Sequence, residues 1–228
     1  MNYKLIILAL LFITSGIFYY NLTGPSIGTE TIQVARIIDG DTLEAASGQR
    51  VRLIGINTPE SSMPFYEEAK DLLKSLVENK SVEIESHGTE RYGRTLAYIF
   101  IDGKNVNEEI LKNGLATLYY YDKDSHYSKL KQAEEFARQN KKGLWAESSN
   151  SGCLELVELK IEEPEKLILK NNCEIKLNII LKDDATHIYK ETINPNSFLI
   201  KNFSHIWNNA GDSVYIRDDK GLLIFYRY

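Results

Sequence analysis

The sequence predicts two β-rich units in series: a small closed barrel with helices packed on its outside, then an all-β sandwich. Three observations support this. Short β-branched runs separated by glycine turns fill the first part of the chain. Segments of helical spacing are interleaved with them. Beyond Glu147–Gly152 only strand-like runs remain. A chain of 228 residues is long enough for two cores. An apolar content of 43% against 26% charged residues belongs to a folded chain, not a disordered one.

The elements follow in order. Residues 31–38 and 49–56 are β-branched runs joined through Asp39-Gly40-Asp41 and Ser47-Gly48, with Leu43–Ala46 pairing between them. Strict alternation over Val51–Ile56 would put Arg52, Ile54 and Ile56 on one face and Val51, Leu53 and Gly55 on the other. Residues 65–79 carry Ala69, Leu72, Leu73, Leu76 and Val77 at helical spacing. Strands are expected over 81–86 and 95–101, a short helix over 106–113 stopped by Gly114, and a strand over 115–121. A last helix over 128–140 would bury Leu130, Ala133, Phe136 and Ala137. This order suits a closed barrel of the OB type. The stretch ESSNSG at 147–152 reads as hinge-like, and the runs at 154–161, 166–171, 174–181, 186–193, 198–201, 213–217 and 221–227 read as a sandwich.

The net charge of −5, with 17 Lys and Arg against 20 Asp and Glu in residues 1–150, excludes a global basic footprint of the usual nucleic-acid-binding kind. A metal-using phosphodiesterase is less bound by that rule, since it needs a local carboxylate cluster and a few arginines. The uncharged apolar run at 5–20 is slightly short for a membrane span, which takes about 20 residues. It suits a signal peptide or an N-terminal anchor, with residues 1–28 as that segment plus linker. The bulky Phe18, Tyr19 and Tyr20 favour an uncleaved anchor over cleavage near Ser15–Gly16. Either way the rest of the chain is expected outside the cytoplasm.

Two clusters can carry chemistry. One is Asp39-Gly40-Asp41-Thr42 with Arg52 through Glu60. The other is Glu90-Arg91-Tyr92-Gly93-Arg94. Carboxylates hold a hard cation through oxygen, and arginine forks onto phosphate oxygens. The same pattern also describes ordinary surface ion pairing beside two tight turns. The histidines at 87, 126, 187 and 205 are scattered and read as surface residues.

Over about residues 31–147 the sequence resembles the staphylococcal nuclease (thermonuclease) family. The resemblance rests on DGDT at 39–42, RLIGINTPE at 52–60, YGRTLAY at 92–98, VNEEIL at 106–111, GLA at 114–116 and KKGLW at 141–145. It implies a five-stranded OB-fold barrel with three helices over 29–147, and calcium-dependent hydrolysis of phosphodiester bonds in DNA or RNA. By the same resemblance Asp41 is the main Ca²⁺ ligand, Asp39 lies in the outer shell of the site, and Thr58 offers a carbonyl. Arg52 and Arg94 clamp the phosphate, Glu60 orients or deprotonates the water, and Tyr92 and Tyr120 line the nucleotide pocket. Tyr119–Tyr121 admit more than one alignment. Asn57 stands where the family has a second aspartate ligand. Its neutral oxygen can still coordinate calcium, at lower affinity. The segment SSMPFY after Glu60 is shorter than the family's mobile loop. The competing function is an inactive OB barrel that binds nucleic acid or protein, but such a copy has no need to keep Asp41, Arg52, Glu60 and Arg94 together.

Residues 153–228 resemble the lamin-tail domain, an Ig-like sandwich, through Ile206-Trp207, Asn209–Asp212, Ser213–Asp218, Gly221 and Tyr226. That resemblance implies a binding or tethering role toward an unnamed ligand. Trp207 reads as core. If 154–161 and 165–172 form a hairpin with a loop at 162–164, Cys153 and Cys173 lie directly opposite each other. Opposed Cβ atoms sit about 4.5–5.5 Å apart and a disulfide wants about 3.8 Å, so a small local adjustment would close the bond. Two free buried thiols are the other reading of the same positions.

Overall fold

A computed structural model describes residues 28–120, 123–185 and 187–228. The apolar run 5–20 and Tyr121 lie outside the described residues. No helix among them is long and apolar enough to cross a membrane.

The first unit is the expected barrel. Strands β1 (Thr29–Ile37), β2 (Thr42–Ala45), β3 (Arg50–Leu53), β5 (Ser81–Thr89) and β6 (Thr95–Ile101) run in the order β3-β2-β1-β5-β6, and a parallel β3–β6 pairing closes the ring. Strand β1 serves two neighbours. Thr29–Gln33 pair with β5, and Val34–Ile37 pair with β2 across a bulge between Val34 and Arg36. A bulge of this kind bends the strand and lets a small barrel close. A two-residue strand β4 (Ile56–Asn57) pairs with β8 (Thr117–Leu118) beside the ring, and β7 (Lys104–Asn105) extends it past β6. Val34, Leu43, Val51, Leu53, Val82, Ile84, Ala97 and Ile99 fill the interior.

Three helices pack outside. Helix α1 (Tyr66–Val77) buries Ala69, Leu73 and Val77, one residue per turn along a stripe. Helix α2 (Val106–Lys112) is capped by the Asn105 side chain, which accepts the Glu108 N–H at 3.1 Å. Helix α3 (Tyr127–Gln139) buries Leu130, Ala133, Glu134 and Ala137. Phe136, expected on that face, is instead 40% exposed under the amines of Lys112 and Lys142. Glu134 takes the inward position, for a reason given by the second unit. The expected sharing of one face by Arg52, Ile54 and Ile56 also fails. Strand β3 ends at Leu53, Gly55 adopts φ +75°, and the phase flips, so that Ile56 is buried with Val51 and Leu53.

The second unit is a sandwich of two antiparallel sheets. One has the order β13 (Phe198–Phe203), β10 (Glu165–Asn171), β9 (Leu154–Lys160). The other has the order β12 (Ile188–Ile193), β11 (Leu177–Lys182), β14 (Ser213–Arg217), β15 (Leu222–Arg227). Leu154, Leu167, Leu169, Leu177, Ile179, Leu181, Phe203, Trp207, Val214 and Ile216 form its core. The β9–β10 hairpin keeps the expected register from Lys160↔Lys166 to Glu158↔Ile168. A bulge at Val157 then shifts it by one. Cys153 therefore faces Asn172, whose N–H it accepts at 2.8 Å, and not Cys173. A disulfide still joins Cys153 to Cys173, with Cα atoms 5.1 Å apart.

The two units share a seam. Every residue of β14 is buried, because the barrel covers the outer face of its sheet. Trp145, on a 3-10 turn at Gly143–Trp145, meets the rings of Tyr215 and Phe225 at 5.9 and 5.1 Å. Arg138 lies over Phe225 at 4.3 Å. Glu134 is 1% exposed and accepts the Leu118 N–H at 2.7 Å and an Arg227 N–H at 3.1 Å. It faces inward because a cation from the sandwich meets it there. The hinge-like stretch is tied down as well. Ala146 O accepts Leu222 N–H (2.8 Å), Ser148 N–H reaches Leu222 O (2.9 Å), and Ser148 Oγ donates to Asp218 at 2.9 Å.

Candidate active site

The β1–β2 turn is built around Asp41. Asp39 Oδ1 accepts the Asp41 N–H at 3.1 Å and shapes the turn. Gly40 is demanded by crowding, since a Cβ there would lie 2.8 Å from both Ala69 Cβ and Thr58 Oγ1. Asp41 is 5% exposed. Its Oδ2 accepts Thr58 N–H at 3.0 Å and Thr58 Oγ1–H at 2.9 Å, and Arg52 Nη2 lies 3.2 Å away. Its Oδ1 accepts from the Thr42 hydroxyl at 3.2 Å. One buried carboxylate thus gathers the turn, the end of β3 and the segment after β4.

Arg52 is held as firmly. Its guanidinium donates to the carbonyls of Leu53 and Ile56, the latter at 3.0 Å, and reaches Asn57 Oδ1 at 3.4 Å. The left-handed Gly55 between them lets the chain curl around the arginine, and a Cβ at Gly55 would strike Leu130 Cδ1 at 2.6 Å. Arg94 approaches from the other side. It forks onto Glu90 at 2.7 and 3.2 Å and extends Nη1 to Thr42 Oγ1 at 3.4 Å. Glu90, and then the charges of Asp41 and Asp39, raise its pKa further. Both arginines therefore converge on Asp41-Thr42. Thr58 and Pro59 are buried, and Glu60 is exposed at the rim. Tyr92 is 67% exposed, with Arg91 over its ring at 4.7 Å and Arg94 at 5.9 Å.

Two residues sit differently from their expected roles. The Tyr120 hydroxyl is taken by Tyr98 Oη at 2.6 Å and by Asp124. Burial and the Asp124 bond push its pKa up to about 12. What it can present is its ring, packed against Gly55. Asn57 turns its amide nitrogen away from the barrel, donating to the carbonyls of Asp184 and Ala185 in the sandwich at 3.1 and 3.2 Å. Only its Oδ1 faces Arg52.

Two histidines read from the sequence as scattered surface residues come together beside Tyr98. His87 and His126 are not isolated. Both ring nitrogens lie on Glu85, at 2.9 and 3.1 Å, and both rings pack against Tyr98. Glu85 and His126 are far apart in sequence, so no local pattern announces the pair. Glu90 was visible only as a member of its cluster, not as the partner of Arg94.

The groups expected to hold a cation, the carboxylates of Asp39 and Asp41, the Asn57 amide oxygen and the Thr58 carbonyl, all offer oxygen. No group of three or more His, Cys, Asp or Glu able to hold a metal occurs among the described residues. Burial, and then the adjacent Asp41 charge, hold the Asp39 carboxyl above the usual range. The oxygen donors of this pair are of the kind that suits a hard cation.

Residues 50–147 match the model of the staphylococcal nuclease homologue family. The chain is 32% identical over 154 residues to a thermonuclease of Staphylococcus hyicus, covering 62% of this chain and 91% of that one. It is 35% identical over 152 residues to an uncharacterised endonuclease of Haemophilus influenzae, covering 65% of this chain and 82% of the relative. Against a staphylococcal-like nuclease of Arabidopsis thaliana it is 45% identical over 101 residues, 44% of this chain and 30% of that longer one. The barrel closure, the convergence of two arginines on Asp41-Thr42 and these matches agree, and the chain belongs to the staphylococcal nuclease family.

Proposed function

We propose that the protein is a calcium-dependent nuclease acting outside the cytoplasm on phosphodiester bonds of single-stranded DNA or RNA. It is held at the membrane by residues 5–20 or released. The observation that carries this reading is the meeting of Arg52 and Arg94 at the Asp41-Thr42 turn, 3.2 and 3.4 Å from its side chains. Two fixed guanidinium groups beside a buried carboxylate can bracket a phosphate. They stabilise the charge that builds on it as water attacks, and fixed charges act most strongly in a dry site. Glu60 at the rim takes the proton of the attacking water. The water oxygen bonds to phosphorus, the bond to the leaving oxygen breaks, and that oxygen is protonated from solvent. Arg94 acts by charge, since guanidinium is a very weak acid.

Asp41 and Asp39, the Thr58 carbonyl and Asn57 Oδ1 would hold Ca²⁺, which when bound polarises the phosphate and helps supply hydroxide. Tyr92 offers an exposed ring for a base. The sandwich, with its lamin-tail-like features, is proposed as a tethering or binding unit as well as a support.

Incubation of the purified chain with denatured DNA and RNA, in calcium and in EGTA, tests the reading. Hydrolysis in calcium that EGTA abolishes is expected. Binding without hydrolysis in either condition would replace it with that of a binding module.

A further inference from the structure

We propose that the 183–185 turn of the sandwich is a working part of the hydrolytic site, with Asn57 and Lys182 as positioning residues that fix the segment carrying Thr58 and Glu60. The inference rests on the reading of the Asp41 cluster as the metal and phosphate site. It begins with the orientation of one amide. Asn57 Nδ2 donates to Asp184 O and Ala185 O at 3.1 and 3.2 Å, and Oδ1 is thereby aimed at Arg52 and the Asp41 cluster. An asparagine side chain has a donor end and an acceptor end, and here each end has a different domain to serve. An aspartate in its place would set a carboxylate oxygen against two carbonyl oxygens, leaving Ala185 O with Lys182 alone and taking the amide donor from Asp184 O. The asparagine at 57 is thus the side chain that a docked sandwich requires, in place of the charged ligand that a lone barrel could carry.

The turn is itself held rigid. Lys182 Nζ donates to Asp183 O at 2.9 Å and Ala185 O at 2.6 Å. Asp184 N–H donates to Asp212 at 3.0 Å, and its carboxylate accepts from Tyr215 Oη at 2.6 Å and Ser213 Oγ at 2.9 Å. His187 N–H and Nδ1 bind Asp183 at 3.1 and 2.6 Å. Lys182 lines one narrow cavity with Asn57, Thr58, Pro59 and Met63. Burial pushes its ammonium pKa down, and the charges of Asp183, Asp184, Glu60 and Asp212 oppose that. A half-buried lysine of the sandwich thus shares one cavity wall with the segment that leads to Glu60. Supports of this kind, one bond removed from the ligands, orient those ligands and tune what they hold.

The test is amide hydrogen exchange on the full chain without metal, combined with terbium luminescence titration and lifetime as a probe of the cation site. Lys182→Met is expected to speed exchange of the Thr58 amide by about tenfold, the factor that corresponds to about 1.4 kcal/mol. It should also shorten the bound-terbium lifetime, as water replaces a displaced protein oxygen. Asn57→Asp leaves Lys182 in place and serves if the first variant does not fold. It is expected to speed exchange at Asp184 and His187 by a similar factor. Thr58, Asp184 and His187 amides exchanging within twofold of the parent in the folded variants would overturn the proposal. A parent chain that binds no terbium would instead overturn the metal site, while the exchange rates still decide this inference.

Discussion

Two aspartate-bearing turns face each other across Asn57, and they differ in how their charge is met. In the sandwich, Asp183 is taken by His187 and Asp184 by the hydroxyls of Tyr215 and Ser213, with Arg227 3.9 Å away. In the barrel, Asp41 has Thr58, Thr42 and one arginine, and Asp39 has the backbone of its own turn and the Thr42 hydroxyl, with a like charge beside it. Burial raises the carboxyl pKa of Asp39, Asp183 and Asp184 alike. The lesson is that paired aspartates do not of themselves make a metal site. What separates the turns is how fully neighbouring side chains complete the carboxylates: His187, Tyr215 and Ser213 do so in the sandwich, and the barrel turn is where we propose that a cation adds to Thr58, Thr42 and Arg52.

The largest expected effect breaks the barrel turn. Arg52→Ala and Arg94→Ala should each slow hydrolysis by about 10²–10³-fold, the usual cost of losing a donor to developing charge. Their stabilities should differ, because Arg52 also ties down the carbonyls of Leu53 and Ile56 while Arg94 leans on half-exposed Glu90. Steady-state rates with thermal unfolding of both variants measure this. Equal rates to the parent would remove the arginines from the site, and an unaltered Tm for Arg52→Ala would show that its buried bonds contribute nothing to stability.

The sandwich side breaks at Arg227. Arg227→Met leaves Glu134 almost wholly buried with one backbone donor and strips partners from Ser213 and Tyr215. Removing one member of a buried pair costs about 3–5 kcal/mol. Since Arg227 is partly exposed, about 3–4 kcal/mol is expected in urea unfolding. A loss below about 1 kcal/mol, the range of surface pairs, would mean the seam is not secured there.

Opening the Cys153–Cys173 bond by Cys153→Ser with Cys173→Ser should cost about 3 kcal/mol, as chain entropy assigns to a loop of this size. Should urea midpoints of the double variant and the parent coincide, the bond does not support the sandwich.

The smallest effect uses a third carboxylate. Burial opposes ionisation of Glu85, but hydrogen bonds from His87 and His126 outweigh it and hold its pKa below the usual value. A lowered folded pKa contributes stability that is present above the unfolded value and is lost as pH falls through the folded one. The parent should therefore lose stability on acidification below about pH 4.3, the unperturbed glutamate value. Glu85→Gln should lose less over the same interval. Parallel stability curves for the two proteins would discard this role for Glu85.

Much of the barrel was legible because its signals are local. The Asp39–Thr42 turn and the helical stripe of Ala69, Leu73 and Val77 are short-range patterns, and both stand where they were read. Readings failed where one residue altered the phase or where a distant partner intervened. Gly55 reversed the alternation that had placed Ile56 beside Arg52. The bulge at Val157 moved Cys153 off Cys173 without preventing their bond. Phe136 gave its inward place to Glu134 because Arg227 waited across the seam, and helical periodicity carries no information about such a partner. Asn57 read as a weakened ligand, and its second duty toward Asp184 and Ala185 has no trace in the motif around it.

The unbroken burial of Ser213–Arg217 has a practical consequence for anyone who would use the barrel by itself. A strand covered on both faces belongs to neither unit alone, and cutting the chain after Trp145 would uncover Trp145, Leu144 and Ala137 together with the unpaired Glu134. The excised barrel would carry a sticky flank with an orphan negative charge in its middle. Making it a portable reagent would require resurfacing that flank with polar side chains and replacing Glu134 by a neutral residue that still accepts the Leu118 N–H.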